Sequence, residues 1–301
     1  MKTLDDLGED GVVARLTGLL EPTGTVIAGA GDDCAVVRGP RKGWVSVLKT
    51  DVVIEGVHFL RDEKPRHVGR KAIARVISDF AAMGAVPRHA LVTVVCPGTV
   101  GVPRLEGIYR GMQAMAGNFG VAIVGGELSR GAALMISVAM EGEVKGDRWV
   151  SRSEGTPGDV LMVTGRLGGS MSGRHLTFDP RLEEGRWLSG RKGVRAMMDL
   201  SDGLAKDLPR MALASGVAFE VEVNRLPSQR GCSTVQAWGD GEDYELLLAV
   251  SPGSVAALKR AWAKRFPKLP LCEIGRLVEG NPGTGNVDGG GGWDHFCGSK
   301  T

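Results

Sequence analysis

The chain has 301 residues, of which 43% are hydrophobic and 24% charged, as in an ordinary globular enzyme of about two domains. Its formal net charge of +2 and its lack of basic runs argue against a nucleic-acid surface. The sequence contains neither a signal core nor an apolar run of about 20 residues, so we expect a cytoplasmic protein without a membrane partner.

The first half of the chain alternates between helical and strand patterns. Apolar residues at helical spacing predict an amphipathic opening helix over residues 3–20. Two further helices, each with a proline near its start, are predicted at Pro65–Met83 and Pro103–Asn118. Strands are predicted at Thr25–Ala28, Cys34–Val37, Trp44–Leu48, Ala90–Val95, Val121–Val124 (a buried strand) and Leu134–Val144.

The polar segment Arg148–Gly158 is interpreted as a boundary, because the alternation begins again after it. We therefore predict an N-terminal domain over 1–148 and a C-terminal domain over 149–301. The second block has a helix after the glycine-rich segment Gly165–Gly173, one that ends near Ala214, and one at Val255–Phe266. Its strands are predicted at Val160–Thr164, Ala196–Met198, Val217–Val223, Tyr244–Val250 and Ile274–Val278. Two such blocks predict a two-domain α/β or α+β protein.

The cysteines are scattered and form no Cys-x-x-Cys pair, which argues against a zinc ribbon or a redox pair. We expect free, mostly buried thiols in a reducing compartment. The five residues are Cys34, Cys96, Cys232, Cys272 and Cys297. Near the C-terminus, the run Gly289–Gly292 predicts a flexible segment.

Acidic residues recur at the ends of predicted strands, beside Gly, Ser or Thr. They are Asp32, Asp33, Asp51, Glu127, Asp199 and Asp202, and Asp79 falls on the helix Pro65–Met83. Ligand sites in α/β proteins lie at strand ends, and a cluster of carboxylates needs a neutralising cation. Carboxylate oxygens favour Mg²⁺, which bridges substrate phosphates. One such Asp alone is usually turn chemistry, so the metal prediction depends on the recurrence.

Glycines and a serine complete a predicted phosphate site. Gly125-Gly126 lets the backbone approach a phosphate closely, and Ser201 opens a helix that it either caps or uses to bind phosphate. The chain has no Gly-Lys dipeptide and therefore no P-loop. It also lacks His-Arg-Asp and Asp-Phe-Gly, which excludes the protein-kinase set. These patterns indicate phosphoryl transfer on another architecture.

Strings spread over nearly the whole chain resemble the thiamine-monophosphate kinase family, within the aminoimidazole ribonucleotide synthetase-like superfamily. They are Gly31-Asp32-Asp33-Cys34-Ala35, Thr50-Asp51, Gly56-Val57-His58-Phe59, Ser78-Asp79-Phe80-Ala81-Ala82-Met83-Gly84-Ala85, Gly125-Gly126-Glu127, Asp199-Leu200-Ser201-Asp202-Gly203-Leu204, Gly241-Glu242-Asp243-Tyr244-Glu245-Leu246 and Gly292-Trp293-Asp294-His295-Phe296. The strings that contain His58, Glu242 and Trp293 are specific to this kinase family within the superfamily.

The resemblance implies a cytoplasmic ATP-dependent enzyme of thiamine diphosphate biosynthesis that phosphorylates thiamine monophosphate by direct in-line transfer. The implied fold has an N-terminal ATP- and metal-binding domain whose mixed sheet pairs in a homodimer, followed by a C-terminal α/β domain. Several Mg²⁺ ions are implied on Asp33, Thr50, Asp51, Asp79, Glu127, Asp199 and Asp202. ATP contacts are implied at Tyr109, Gly126, Glu127, Arg152 and Ser201, and substrate contacts at His58, Glu242 and Trp293.

No residue is expected to act as a general base, because the acceptor phosphate is already anionic and phosphoryl transfer needs mainly positioning and charge neutralisation. Arg152 is expected to add a fixed positive charge beside the ATP phosphates; otherwise it is a solvated linker arginine. Trp293 either stacks on a ring of the substrate or anchors the tail. His58 is either a substrate contact or a structural histidine.

The chain departs from the family pattern at one predicted metal residue, Glu127, and at Lys49, which directly precedes two others. Glu127 stands where Asp is usual, which moves the carboxylate one methylene further out. Lys49 replaces a Ser or Thr, so that it either places a cation near the metal ions or points away. Two alternatives stay open: a related ATP-dependent enzyme that activates another small substrate, and a non-catalytic protein that binds ATP or thiamine phosphate.

Overall fold

The computed structural model describes residues 3–287 and 290–296, so Gly289 and Cys297 lie outside the described residues. Within that part of the chain no helix is both long and apolar enough to cross a membrane. The four cysteines within the described residues are free: Cys34 and Cys96 are buried, and Cys232 and Cys272 are partly exposed.

The described residues contain seven α-helices and eleven strands. The helices are α1 Leu4–Thr17, α2 Pro65–Ala82, α3 Val102–Asn118, α4 Leu182–Ser189, α5 Leu204–Ala214, α6 Thr234–Gly239 and α7 Pro252–Arg265. The strands are β1 Val26–Ala28, β2 Ala35–Arg38, β3 Trp44–Ile54, β4 Val86–Cys96, β5 Ala122–Arg130, β6 Met135–Lys145, β7 Val160–Thr164, β8 Val194–Asp199, β9 Ala218–Val221, β10 Leu246–Val250 and β11 Leu271–Val278.

The strands form two sheets, one from each half of the chain. The first has the order β1-β2-β3-β6-β4-β5 and is mixed, since β4 and β5 are parallel while the other neighbours are antiparallel. The second has the order β8-β10-β7-β11-β9 and is antiparallel. The predicted arrangement of two successive strand-and-helix blocks is confirmed. The boundary at residues 148 and 149 stays a prediction.

Helix α2 connects the two halves. It packs on β3, β4 and β6 of the first sheet and also contacts α4 and β8 of the second half. Thirteen of its residues are buried, and its phenylalanine Phe80 is fully enclosed. A polar side chain on this helix therefore lies among several elements at once, and it needs a partner there.

Two strands continue beyond their predicted ends. β3 pairs with β6 without a break from Trp44 to Ile54, so Lys49, Thr50 and Asp51 lie inside a strand and do not follow one. β5 likewise continues to Arg130 along its parallel ladder with β4, and Glu127 lies within it. The prediction that this strand is buried is wrong, because β5 is an edge strand with mostly exposed residues.

The opening helix forms, but its predicted apolar face is not buried. Gly8 has a φ of 66° and interrupts the helix, and it is the one residue of α1 that is buried. Leu4 and Leu16 are 48% and 58% exposed. Sequence patterning also missed α6, which begins at a capping box between Ser233 and Gln236. Short 3₁₀ turns lie on either side of Gly173, at Ser170–Ser172 and Arg174–Leu176, and the helix predicted after the glycine-rich segment begins only with α4 at Leu182.

Candidate active site

Three buried aspartates from distant parts of the sequence meet between the two halves. Asp33 follows β1, Asp79 lies on α2 and Asp199 ends β8. A carboxylate oxygen of each lies within 4.8 Å of the others, and within residues 3–287 and 290–296 this acidic trio is the one group of three or more potential metal ligands. Ser78 donates a hydrogen bond of 2.5 Å to Asp199 Oδ2.

The acidic trio is electrostatically costly without a cation. Burial first, and the charge of Asp33 second, raise the pKa of Asp199 to about 7 and that of the adjoining Asp32 to about 6. Asp33 Oδ2 is buried without a hydrogen-bond partner. Three carboxylate donors and an unpaired buried oxygen fit a hard divalent cation such as Mg²⁺.

Positive side chains from the same chain surround the acidic trio. Lys49 points into it, since Lys49 Nζ lies 2.6 Å from Asp79 Oδ1. Burial opposes the charge of Lys49, but the carboxylates of Asp79 and Asp51 outweigh it and raise the pKa of this ammonium group. Arg152 Nη2 lies 2.5 Å from Asp33 Oδ1, which places Arg152 at the trio and excludes a freely solvated linker arginine.

One face of α2 supplies three charged residues at i, i+4 and i+8, which we call the α2 charge row: Lys71, Arg75 and Asp79. Arg75 Nε lies 3.1 Å from Asp51 Oδ2 on β3. The Lys49–Asp79 and Arg75–Asp51 pairs thus join alternate residues of β3 to successive turns of α2. Lys71 is fully buried and pairs with Glu242.

A cavity of about 140 Å³ lies beside this row, and we call it the Trp293 cavity. All three predicted substrate contacts line it, together with predicted ATP and metal residues and a member of the α2 charge row. These residues are His58, Glu242, Trp293, Ser201, Asp202 and Arg75. Trp293 is 46% exposed, and its backbone N–H donates to Asp202 O at 2.9 Å, which holds the tail at the cavity.

Charge within the cavity is set by Glu242 and its partners. Burial alone would raise the pKa of Glu242, but a hydrogen bond from His175 and the charges of Lys71 and Arg75 outweigh it and lower that pKa to about 2. Glu242 also has a φ of 62°, a conformation that strains a residue with a side chain. The cavity therefore holds a fixed carboxylate in a strained backbone.

His58 is a neutral acceptor and not a charged group. Its Nδ1 accepts a hydrogen bond of 3.1 Å from the Ile54 N–H, so the neutral ring carries its proton on Nε2. Burial, and then the charge of Arg75, lower the pKa of His58 to about 3. The ring consequently presents an N–H donor at neutral pH.

Three further predicted metal residues, Asp202, Thr50 and Glu127, are not members of the acidic trio. Asp202 pairs with Arg210, at 2.6 Å between Oδ2 and Nη1. Thr50 is exposed on the face of β3 opposite to Lys49 and Asp51, with its Oγ1 3.5 Å from Ser137 Oγ. Glu127 is exposed on β5.

The predicted ATP contacts fall into two groups. Arg152 and Ser201 lie at the acidic trio and in the Trp293 cavity, respectively. Tyr109, Gly126 and Glu127 line a separate open groove of about 870 Å³ along α3 and β5. The structure of one chain does not bring these two groups into one cavity.

Comparison with known proteins decides the family. Residues 31–144 match the AIR synthase related protein N-terminal domain, and residues 156–288 match the corresponding C-terminal domain. The thiamine-monophosphate kinase of Rhodopirellula baltica is 36% identical over 291 residues, which cover 90% of this chain and 89% of that protein. That of Aquifex aeolicus is 33% identical and covers 97% and 99%. The chain belongs to the thiamine-monophosphate kinase family.

A solved structure supports the same placement at the level of the fold. The solved structure described as AaThiL complexed with AMPPCP and TMP superposes on this chain with a TM-score of 0.83, and the two sequences are 32% identical. The match covers 98% of this chain and 99% of that one. The two-domain α/β fold is therefore that of the family.

Sequence reasoning on this thiamine-monophosphate kinase family member missed Lys71 and Arg75. A signal was present in the sequence, because Lys71, Arg75 and Asp79 recur at intervals of four residues on a predicted helix that is otherwise rich in apolar residues towards its end. Three charged residues at i, i+4 and i+8 on a buried helix predict three partners on other elements. The partners themselves, Glu242 and Asp51, depend on the tertiary fold.

Proposed function

We propose that this protein transfers a phosphoryl group from ATP to thiamine monophosphate, giving ADP and thiamine diphosphate. The observation that carries the proposal is the adjacency of two features. The acidic trio, with Lys49 and Arg152, suits a polyphosphate and its counter-ion. The Trp293 cavity suits a flat cationic ring, and Arg75 joins the two by lining the cavity and pairing with Asp51.

We propose that Mg²⁺ binds to Asp33, Asp79 and Asp199, with Asp51 beside them. Bound Mg²⁺ would neutralise charge on the phosphates. Arg152 adds a positive charge that cannot be lost near neutral pH and that is held in place by Asp33. No general base is needed, since the acceptor phosphate is itself the nucleophile. Metal contacts at Thr50, Asp202 and Glu127 remain proposals.

For the ring of the substrate, the proposed contacts are Trp293, His58 and Glu242. The half-exposed indole of Trp293 offers its face to a thiazolium or pyrimidine ring, and a cationic ring favours that face. His58 offers an N–H donor and Glu242 a carboxylate acceptor. Their fixed protonation states would orient the ring, because the amino and ring nitrogens of the substrate need complementary partners.

We propose that the protein is a homodimer paired through the outer face of the first sheet. Leu48, Leu91 and Val124 on this face are 41%, 52% and 59% exposed, and they line one shallow apolar surface. An exposed apolar patch on a sheet is typical of a protein–protein interface. The proposed location remains the cytoplasm, where the free thiols of Cys34 and Cys96 stay reduced.

The reaction is tested by incubating the purified protein with ATP, Mg²⁺ and thiamine monophosphate and separating the products by chromatography. The proposal requires thiamine diphosphate that depends on all three components. A folded protein that binds ATP and yields no thiamine diphosphate would contradict it and favour the non-catalytic alternative.

A further inference from the structure

Arg75 occupies the junction between the acidic trio and the Trp293 cavity. It lies on α2 one turn before Asp79, which belongs to the trio, and one turn after Lys71, which pairs with Glu242. Arg75 itself lines the Trp293 cavity. The guanidinium group is therefore placed to meet a ligand that extends from Trp293 towards the acidic trio.

The guanidinium group is held in a fixed orientation. Nη2 donates to Asp51 Oδ1 at 3.3 Å and Nη1 donates to Val52 O at 3.2 Å. Nε lies 3.1 Å from Asp51 Oδ2, but it is buried and makes no hydrogen bond of good geometry. The side chain is 13% exposed. Arg75 is thus anchored at one edge and retains N–H capacity for a further acceptor.

The surrounding charges call for a cation at this point. Glu242 and Asp202 line the cavity with Arg75, Asp51 pairs with Arg75, and Asp79 of the acidic trio lies one turn further along α2. A phosphate group placed between these carboxylates would be repelled by all of them. Among the described residues that line the cavity, Arg75 is the one lysine or arginine, whereas Lys49 and Arg152 pair with Asp79 and Asp33 of the trio. A guanidinium fork also matches the geometry of phosphate oxygens.

We propose that Arg75 binds the acceptor phosphate of the substrate and thereby selects thiamine monophosphate over unphosphorylated thiamine. This inference rests on the proposed function and adds a specificity-determining residue to it. Arg75 would hold the phosphate against the acidic trio while Trp293 holds the ring, which fixes the distance between the acceptor oxygen and ATP.

The test is calorimetric binding of two ligands, thiamine monophosphate and thiamine, to the full chain with Mg²⁺ and without ATP. For Arg75→Met we expect thiamine monophosphate to bind about 10- to 100-fold more weakly, the usual range for a lost hydrogen bond to a charged group, with thiamine binding unchanged. Arg75→Lys keeps the charge but not the fork, so an intermediate loss is expected. Arg70→Met, on the same helix and paired with Asp179, is the matched control and should bind as wild type.

Several outcomes would overturn the inference. If Arg75→Met retains the wild-type preference for thiamine monophosphate, Arg75 does not contact the phosphate. If it loses affinity for both ligands equally, Arg75 only supports the cavity. If Arg75→Met does not fold, the ratio of the affinities for thiamine monophosphate and thiamine is measured in Arg75→Lys, and an unchanged ratio there overturns the inference. A wild-type protein that binds neither ligand would contradict the proposed function itself, and this inference with it.

Discussion

Lys49 Nζ lies 2.6 Å from Asp79 Oδ1, in the middle of a site built from carboxylates. The two residues come from β3 and α2, which pack against each other. Asp79 therefore has a cation of its own within the chain before any metal ion binds. Asp51 likewise has a cation within the chain, because it pairs with Arg75, which lies one turn before Asp79 on α2. Part of the charge neutralisation at this site is consequently supplied by ion pairs with side chains of the protein itself.

Replacing Lys49 should strengthen divalent-ion binding at the acidic trio. Without the ammonium group, the negative charge of Asp79 is uncompensated, and the repulsion between Lys49 and the incoming ion is removed. For Lys49→Thr we expect Mn²⁺ to bind at least about tenfold more tightly, as one unit charge a few ångströms away would produce. Electron paramagnetic resonance of free Mn²⁺, without ATP or substrate, measures this. Lys145→Thr, at an exposed site, is the control, and an unchanged Mn²⁺ affinity in Lys49→Thr would exclude the proposed neutralisation.

Trp293 should affect the binding of thiamine monophosphate and not the binding of ATP. Trp293→Ala removes the aromatic face of the cavity and is expected to raise the KM for thiamine monophosphate about tenfold, the scale of a cation–π contact with a partly desolvated ring. The KM for ATP should not change, and Trp293→Phe should recover most of the loss. Steady-state kinetics with each substrate varied in turn distinguishes this role from that of a tail anchor. Equal changes in both KM values would indicate a structural tryptophan.

Glu242 should make the free energy of unfolding decrease as the pH falls through the acid range. Its pKa in the folded protein, about 2, is below the usual value, so its contribution is complete above about pH 4.5 and is lost as the pH falls towards 2. Glu242→Gln breaks a buried pair with Lys71 and is expected to cost roughly 3 kcal/mol at pH 7. Urea unfolding at pH 7, 5 and 3.5 should show the difference between wild type and variant shrinking at the lowest pH.

The control for Glu242 is Glu222→Gln, because Glu222 makes an exposed pair with Arg225 that should contribute little at any pH. If wild type and Glu242→Gln differ by the same amount at pH 7 and at pH 3.5, the charge of Glu242 does not stabilise the fold.

A charge on the outer face of the first sheet should separate the proposed dimer. Leu91→Glu would bury a carboxylate in an apolar interface, so we expect a monomer by light scattering after size exclusion, while wild type has twice that mass. Val235→Glu, on α6 and 75% exposed, should leave the dimer intact. A monomeric wild-type protein, or a dimeric Leu91→Glu, would contradict this choice of interface.

The sequence was sufficient to predict most helices and strands and the acidic character of the site, because these depend on local periodicity and on residue types next to glycine. It placed Asp33, Asp79 and Asp199 in the site, and the structure brings these three together. Local patterning could not show that β3 continues through Lys49 to Ile54, because the reason is the ladder with β6, more than eighty residues away in sequence. Nor could it show the partners of Lys71 and Arg75, which only tertiary packing provides.

The position of three predicted ATP contacts could not be predicted from the sequence, for a different reason. The family resemblance assigns Tyr109, Gly126 and Glu127 to the ATP site together with Arg152 and Ser201, yet these three residues line a groove of their own on α3 and β5. A motif records which residues act in a family, but it does not record which side of the sheet, or which subunit, they act from.

We expect direct phosphoryl transfer from ATP to thiamine monophosphate within the site formed by α2, β3 and β8. The most direct measurement uses ATP labelled in its γ-phosphate, with Mg²⁺ and thiamine monophosphate, and follows where the label goes. We predict one labelled thiamine diphosphate for each ADP formed, and no label on the protein. Label that appears on the protein, or only as inorganic phosphate, would contradict the claim.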